Sequence, residues 1–145
     1  MQHAQGVDRL NATFTSAADE VFVDGMDSLF SRKLLRAIRT YGDMTIRAID
    51  RVMQFERANV EVAGEALRQV GSIADPRTHH SRLTLLLRHL ESPDPRIRDA
   101  ASTGIAALDD PAAIPAIRKA FKQEPSPQLR RNLQLVLDQL LATQQ

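Results

Sequence analysis

The chain contains no cysteine and no tryptophan, and only one tyrosine among its 145 residues. The absence of cysteine excludes disulfide bridges, a thiolate nucleophile and a thiolate metal site, and it is typical of a protein in a reducing compartment. Aromatic residues make up 4% of the chain, so a core must be built from leucine, isoleucine, valine and alanine. Packed helices suit such a core better than a β-sandwich, whose strands favour aromatic and β-branched residues.

The sequence also lacks long hydrophobic runs. None approaches the roughly 18 apolar residues that a membrane-spanning helix needs. The first six residues carry no basic region, and no apolar run follows them, so a secretory signal is not expected. We therefore predict a cytoplasmic protein that has no membrane partner.

Charge is balanced overall but uneven along the chain. The net charge is +1, yet residues 1–30 hold five acids against one base, and residues 31–57 hold seven bases against three acids. We predict two parts. Residues 1–26 form a flexible acidic arm that includes a short ordered piece at residues 18–23, and residues 27–145 form a folded domain.

An internal repeat recurs through residues 27–142. An offset of 32 superposes Pro95 on Pro127 and places three apolar positions on three others, Ala101 on Leu133, Ile105 on Leu137 and Leu108 on Leu140. A period of about 33 residues, with two helices in each unit, is typical of a solenoid.

Apolar residues recur at helical spacing within each unit, and proline, glycine and capping residues lie between the periodic stretches. This pattern predicts seven helices, over residues 27–41, 43–57, 59–73, 77–91, 95–108, 111–123 and 127–142. Because the connections are short, successive helices must lie roughly antiparallel. The expected fold is all-α, a short solenoid of helix pairs.

Two adjoining segments resemble a known repeat. The run Asp-Pro-Arg-Ile-Arg-Asp-Ala-Ala (residues 94–101) and the run Leu-Asp-Asp-Pro-Ala-Ala-Ile-Pro-Ala-Ile (residues 108–117) look like the short bacterial HEAT-like repeat first associated with phycobilisome lyases. The last repeat keeps Leu129 and Arg130 but lacks the alanine pair. The resemblance implies a right-handed superhelix whose second helices line the concave face. It also implies a scaffold, an adaptor, a chaperone-like partner or, less often, a nucleic-acid binder.

Few side chains are arranged for catalysis or metal binding. His79, His80 and His89 lack the spacing that places ligands on one helix face. Asp109 and Asp110 are adjacent carboxylates before a proline, where a helix cap is the simpler explanation than an acid–base pair. We therefore predict no catalytic residue, no metal and no cofactor.

Arg98 and Arg130 recur in register. The resemblance implies that such arginines pair with turn carboxylates between repeats, so Arg98 is expected to meet Asp109, Asp110 or the turn at Asp75. We predict a structural ladder here rather than an anion site.

The second helix of each pair presents basic side chains opposite its apolar side. The candidate partner-binding residues are Arg47, Arg51 and Gln54, then Arg82, Leu85, Arg88 and His89, and finally Lys119 and Lys122. If these helices line the concave face, that face is basic, with Leu85 as an apolar anchor. An ordinary solvated face would have the same composition.

The leading hypothesis is a non-catalytic protein–protein interaction module that binds an acidic or acidic–apolar segment of a partner through this face. The alternative is a nucleic-acid binder that uses the same bases, although the near-zero net charge, the acidic arm and the lack of stacking aromatics speak against it. The acidic arm, with Val21, Phe22 and Val23 among its acids, either competes for the face in the free protein or serves only solubility.

Overall fold

The computed structural model describes Arg9 and residues 12–15, 28–55 and 59–144. Seven helices make up most of the described chain, α1 (Leu29–Tyr41), α2 (Asp43–Phe55), α3 (Val60–Ser72), α4 (His79–His89), α5 (Pro95–Leu108), α6 (Ile114–Gln123) and α7 (Pro127–Gln144). Short 3₁₀ turns at Pro76–Thr78 and Pro111–Ala113 precede α4 and α6. No strand occurs in these residues, and the predicted all-α fold is confirmed.

The helices form a two-layered solenoid. Helices α1, α3, α5 and α7 pack side by side in a first-helix layer, while α2, α4 and α6 lie in a second-helix layer. Aliphatic side chains fill the space between the layers, including Leu34, Leu67, Ile105 and Leu133. The arrangement follows from the repeat, because each helix pair buries its apolar faces only against its neighbours.

The same aspartate–proline pair starts an element three times. Asp75, Asp94 and Asp110 each accept a hydrogen bond from the backbone N–H two residues ahead, at 2.9–3.1 Å. A proline follows each aspartate at the first position of the element, where its missing N–H is not needed. The predicted capping role is therefore confirmed for Asp110.

The closest approach of two helices joins α3 and α5 through glycine. A Cβ added at Gly71 would collide with the backbone carbonyl of Gly104, and one added at Gly104 would lie 2.6 Å from the carbonyl oxygen of Leu67. Gly64, by contrast, would place its Cβ 3.5 Å from Cβ of Ala100, an ordinary contact. Close approach of α3 and α5 thus explains the glycines at both Gly71 and Gly104.

Part of the acidic arm packs on the repeats. Arg9 and residues 12–15 are helical. Phe14 is buried, with its ring centroid 5.1 Å from that of Phe30 on α1 in an edge-to-face arrangement. Arg9 also donates a hydrogen bond to Tyr41 Oη at 3.4 Å. These residues therefore lie against α1, whereas residues 18–23 lie outside the described residues.

Candidate partner-binding face

Most of the basic residues singled out on the second helices are exposed. Exposed side chains in this set are Arg47, Arg51, Gln54, Arg88, Lys119 and Lys122, and His89 is half-buried. Arg118 is exposed on the same side of α6, although it was not among the candidates. We call these side chains, together with the acids between them, the second-helix face.

Arg82 is not part of this face, contrary to the prediction. Its side chain is 2% exposed and points into the core. Its guanidinium donates hydrogen bonds to the carbonyl oxygens of Val70 and Asp75 and to Thr78 Oγ1, at 2.9–3.0 Å. Burial lowers the pKa of Arg82, and the nearby carboxylate of Asp75 opposes that effect. The residue closes the end of α3, where carbonyl groups lack partners within the helix.

Leu85 is also buried, at 3% exposure, so it cannot serve as the predicted apolar anchor. Both corrections have one cause. Helix α4 packs against α2, α3 and α5, so it buries a wider arc than the single apolar stripe from which the exposed side was inferred.

Polar contacts join α2 to α4 across the face. Asp50 accepts hydrogen bonds from Arg88 at 2.8 Å and from Gln54 at 2.9 Å, and His89 Nε2 lies 3.4 Å from the same carboxylate. Burial lowers the pKa of His89, although its contact with Asp50 opposes this. Ser81 donates to Asp43 at 2.6 Å. Acids are therefore interleaved with the bases more closely than the sequence suggested.

A groove separates α4 from α6. Its volume is about 280 Å³, and its lining includes Leu87 of α4, Leu90 directly after α4, and Ala116 and Ala120 of α6. The exposed pair formed by Lys119 Nζ and Glu91, 3.4 Å apart, lies at its edge. Sequence reasoning missed this feature, for which the only signal was the pair of alanines one helical turn apart on α6.

The arginine ladder exists in a different form from the one expected. Arg98 pairs with Glu124 through two hydrogen bonds of 2.8 and 3.0 Å and also donates to the carbonyl oxygens of Ser92 and Pro93. The carboxylate that it meets therefore lies in the connection between α6 and α7, whereas Asp109 and Asp110 lie in the connection between α5 and α6. The Arg98 hydrogen bonds lower the pKa of Glu124.

The other ladder residues make separate contacts. Arg130 lies over the ring of Phe121, with its guanidinium carbon 5.2 Å from the ring centroid. Asp109 adopts a left-handed conformation at the end of α5 and accepts hydrogen bonds from Gln139 and Thr143. Asp110 lies 2.7 Å from His79 Nε2, a contact that lowers the pKa of Asp110. Each contact ties neighbouring elements together.

Within the described part of the chain, no three histidine or acidic side chains cluster as a metal site would require. His79 and His89 each contact a single aspartate, and His80 is exposed. None of the described helices is both long and apolar enough to cross a membrane.

The sequence matches one protein-family model, described as HEAT repeats, over residues 49–138. The match begins within α2 and ends within α7, so it spans both layers and the whole of the groove between α4 and α6. No curated protein matches the chain.

Proposed function

The chain belongs to the HEAT-repeat family, and from that membership we propose that it is a non-catalytic protein–protein interaction module whose second-helix face binds an acidic segment of a partner. HEAT repeats commonly mediate protein–protein interactions and are generally a non-enzymatic scaffold. Because a fold alone does not determine a function, the proposal depends on the chemistry of the face.

The balance of exposed charge on the second-helix face carries the proposal. Six basic side chains on α2, α4 and α6 are exposed, Arg47, Arg51, Arg88, Arg118, Lys119 and Lys122. The acids among them are Asp43, Asp50 and Glu91, which already contact Ser81, Arg88 and Lys119. The face therefore retains an excess of positive charge, which would attract an acidic segment and speed its association.

Nucleic-acid binding is the alternative, because the same bases could neutralise phosphates. The described side chains of the face include no exposed phenylalanine or tyrosine ring on which a base could stack. Single-stranded nucleic acid usually requires such rings, so a protein partner fits the face better.

A pulldown with charge-reversed variants tests the proposal. Arg47→Glu combined with Lys122→Glu should lower recovery of the natural partner about tenfold or more, because two attractive contacts become repulsive. Neither residue forms an ion pair with another described residue, so the fold should be unaffected. Arg36→Glu combined with Arg131→Glu is the matched control, because it makes the same change of charge at exposed sites of the first-helix layer that likewise form no ion pair with another described residue.

Equal recovery with both double variants would contradict the proposed face. Loss of the partner after nuclease treatment, together with binding that falls steeply with salt, would favour the nucleic-acid alternative.

A further inference from the structure

The groove between α4 and α6 is apolar inside because both helices leave space there. α2 packs directly on α4, whereas α6 does not, and the short side chains of Ala116 and Ala120 leave space beside Leu87 and Leu90. Leu87, Ala116 and Ala120 are partly exposed in the groove. An apolar depression on an otherwise charged face is the kind of site at which an interface places a buried anchor.

The charged side chains at the floor of the groove already have hydrogen-bond partners. Arg98 and Glu124 line it, and they are already joined by two hydrogen bonds, while the remaining donors of Arg98 bind the carbonyl oxygens of Ser92 and Pro93. Another charge would have to be desolvated beside this largely buried pair and would compete with it, whereas an apolar group would leave it intact. The interior therefore selects an uncharged, apolar occupant.

The edge of the groove, in contrast, attracts carboxylates. Lys119 and Glu91 form an ion pair whose side chains are 62% and 69% exposed. Pairs this exposed contribute little to stability, so Lys119 can exchange Glu91 for a carboxylate of a partner at little cost. Lys122 lies three residues further along α6 and is exposed as well.

We propose that this groove receives one leucine-sized aliphatic side chain of the acidic partner segment, while the flanking carboxylates contact Lys119 and Lys122. The inference builds on the proposed function and specifies the chemistry of the partner. The volume of the groove lies at the lower end of the range for clefts that bury small-molecule ligands, and it is large enough for one aliphatic side chain. It thereby takes over the anchoring role that the buried Leu85 cannot fill.

Two synthetic peptides test the inference on the full chain by fluorescence anisotropy. Both consist of glutamate and aspartate around one central residue, which is leucine in the first peptide and serine in the second. The leucine peptide should bind the unchanged protein about tenfold more tightly, because the aliphatic side chain leaves water on binding. Ala120→Phe fills the groove and should abolish this advantage while leaving the affinity for the serine peptide unchanged.

Ala107→Phe is the matched control, since Ala107 is an exposed alanine of α5 outside the groove, and it should preserve the advantage. Far-ultraviolet circular dichroism establishes that each variant is folded, and the comparison of the two peptides on the unchanged protein requires no variant at all. Equal affinities for the two peptides, or a leucine advantage that survives Ala120→Phe, would overturn the groove while leaving the charged face in place. Binding of neither peptide would overturn both proposals.

Discussion

At the scale of single residues, Arg82 does the most to connect different parts of the core. Its three hydrogen bonds join the last turn of α3, the turn at Asp75 and the 3₁₀ turn before α4. An arginine has five N–H donors in a fixed plane and can satisfy several carbonyl groups at once. We infer that it sets the angle at which α4 leaves α3.

Arg82→Met should destabilise the protein by about 3 kcal/mol, because it leaves buried carbonyl oxygens of Val70 and Asp75 without partners. In a chain of this length, such a loss lowers Tm by roughly 10 °C. Arg88→Met is the matched control on the same helix. The Arg88 side chain is 54% exposed. Its ion pair with Asp50 therefore contributes little to stability. Similar melting temperatures for the two variants in a thermal denaturation experiment would show that Arg82 is not structural.

The repeat itself contained the signal for this burial. At the offset of 35 that superposes Asp75-Pro76 on Asp110-Pro111, Arg82 aligns with Ile117, which is fully buried. A helical projection of α4 alone places Arg82 outside its apolar stripe, because that projection does not include the three neighbouring helices. The alignment of repeats was therefore the better guide to burial than the projection of one helix.

At the scale of helices, the positions of α1 to α7 were predictable, since periodicity and capping act locally, whereas the helical residues 12–15 were not predicted. The bounds of α1 to α7 moved by up to two residues, apart from the 3₁₀ turns that begin two of the predicted helices. The close crossing of α3 and α5 was harder to predict from the sequence, because it depends on which two glycines meet. A glycine in the middle of a helix, such as Gly104, is unfavourable and suggests a close contact, whereas Gly71 lies near the end of α3, where glycine is common.

Gly71→Ala should destabilise the protein by about 3 kcal/mol, because the new methyl group overlaps the backbone of Gly104 and forces the helices apart. Gly64→Ala provides the control within the same helix. Its methyl group meets only ordinary contacts. The better helix propensity of alanine should therefore raise the stability of this variant by up to about 1 kcal/mol. Urea denaturation of both variants measures the difference, and a similar midpoint for both would contradict the close crossing.

Glu124→Gln tests the connection between repeats through its dependence on pH. Hydrogen bonds from Arg98 lower the pKa of Glu124 in the folded protein. The carboxylate therefore stabilises the fold fully above its unfolded pKa of about 4.3, and this contribution is lost as the pH falls through the lowered folded value. At neutral pH the variant should be less stable by about 1.5–3 kcal/mol.

Below about pH 4 the melting temperatures of the Glu124→Gln variant and the unchanged protein should converge. Glu91→Gln removes an exposed carboxylate and should change stability little at any pH. A difference between Glu124→Gln and the unchanged protein that stays constant down to low pH would show that the pair with Arg98 does not stabilise the fold.

At the scale of the whole molecule, the solenoid followed from the repeat, whereas the second-helix face did not follow from any one helix. Arg47, Lys119 and Lys122 were correctly expected to be exposed. The groove arises from the spacing between α4 and α6, which no local pattern of residues specifies. The sequence showed the uneven distribution of charge along the chain directly. It did not show that Phe14 of the acidic arm packs against α1.

The packing of Phe14 changes what the acidic arm can reach. Residues 16–27 connect this packed segment to the start of α1, so both ends of the connection lie beside α1. These twelve residues hold four acids and no base. Arg47 lies on α2, in the same helix pair as α1, whereas Lys119 lies on α6, two pairs further along the solenoid. Arg47 is therefore the nearer candidate for contact with these acids.

Replacing the four acids Asp19, Glu20, Asp24 and Asp27 by their amides therefore tests whether the arm shields the face. This variant keeps Phe14, which a deletion of residues 1–24 would remove from the core. If the arm competes with an acidic partner, the variant should bind the acidic serine peptide several-fold more tightly at low salt. The gain should vanish near 1 M salt, where screening shortens electrostatic range to about 3 Å.

Two variant backgrounds distinguish competition between the arm and the peptide from a general effect of net charge on peptide affinity. In an Arg47→Gln background the amide variant should bind no more tightly than its parent, because the shielded base is gone. In a Lys119→Gln background the gain should persist, because Lys119 lies on α6, two helix pairs along the solenoid from α1. A gain that persists equally in both backgrounds would point to long-range repulsion by the arm as a whole. Unchanged or weaker binding would leave the arm as a plain tail or as part of the binding site.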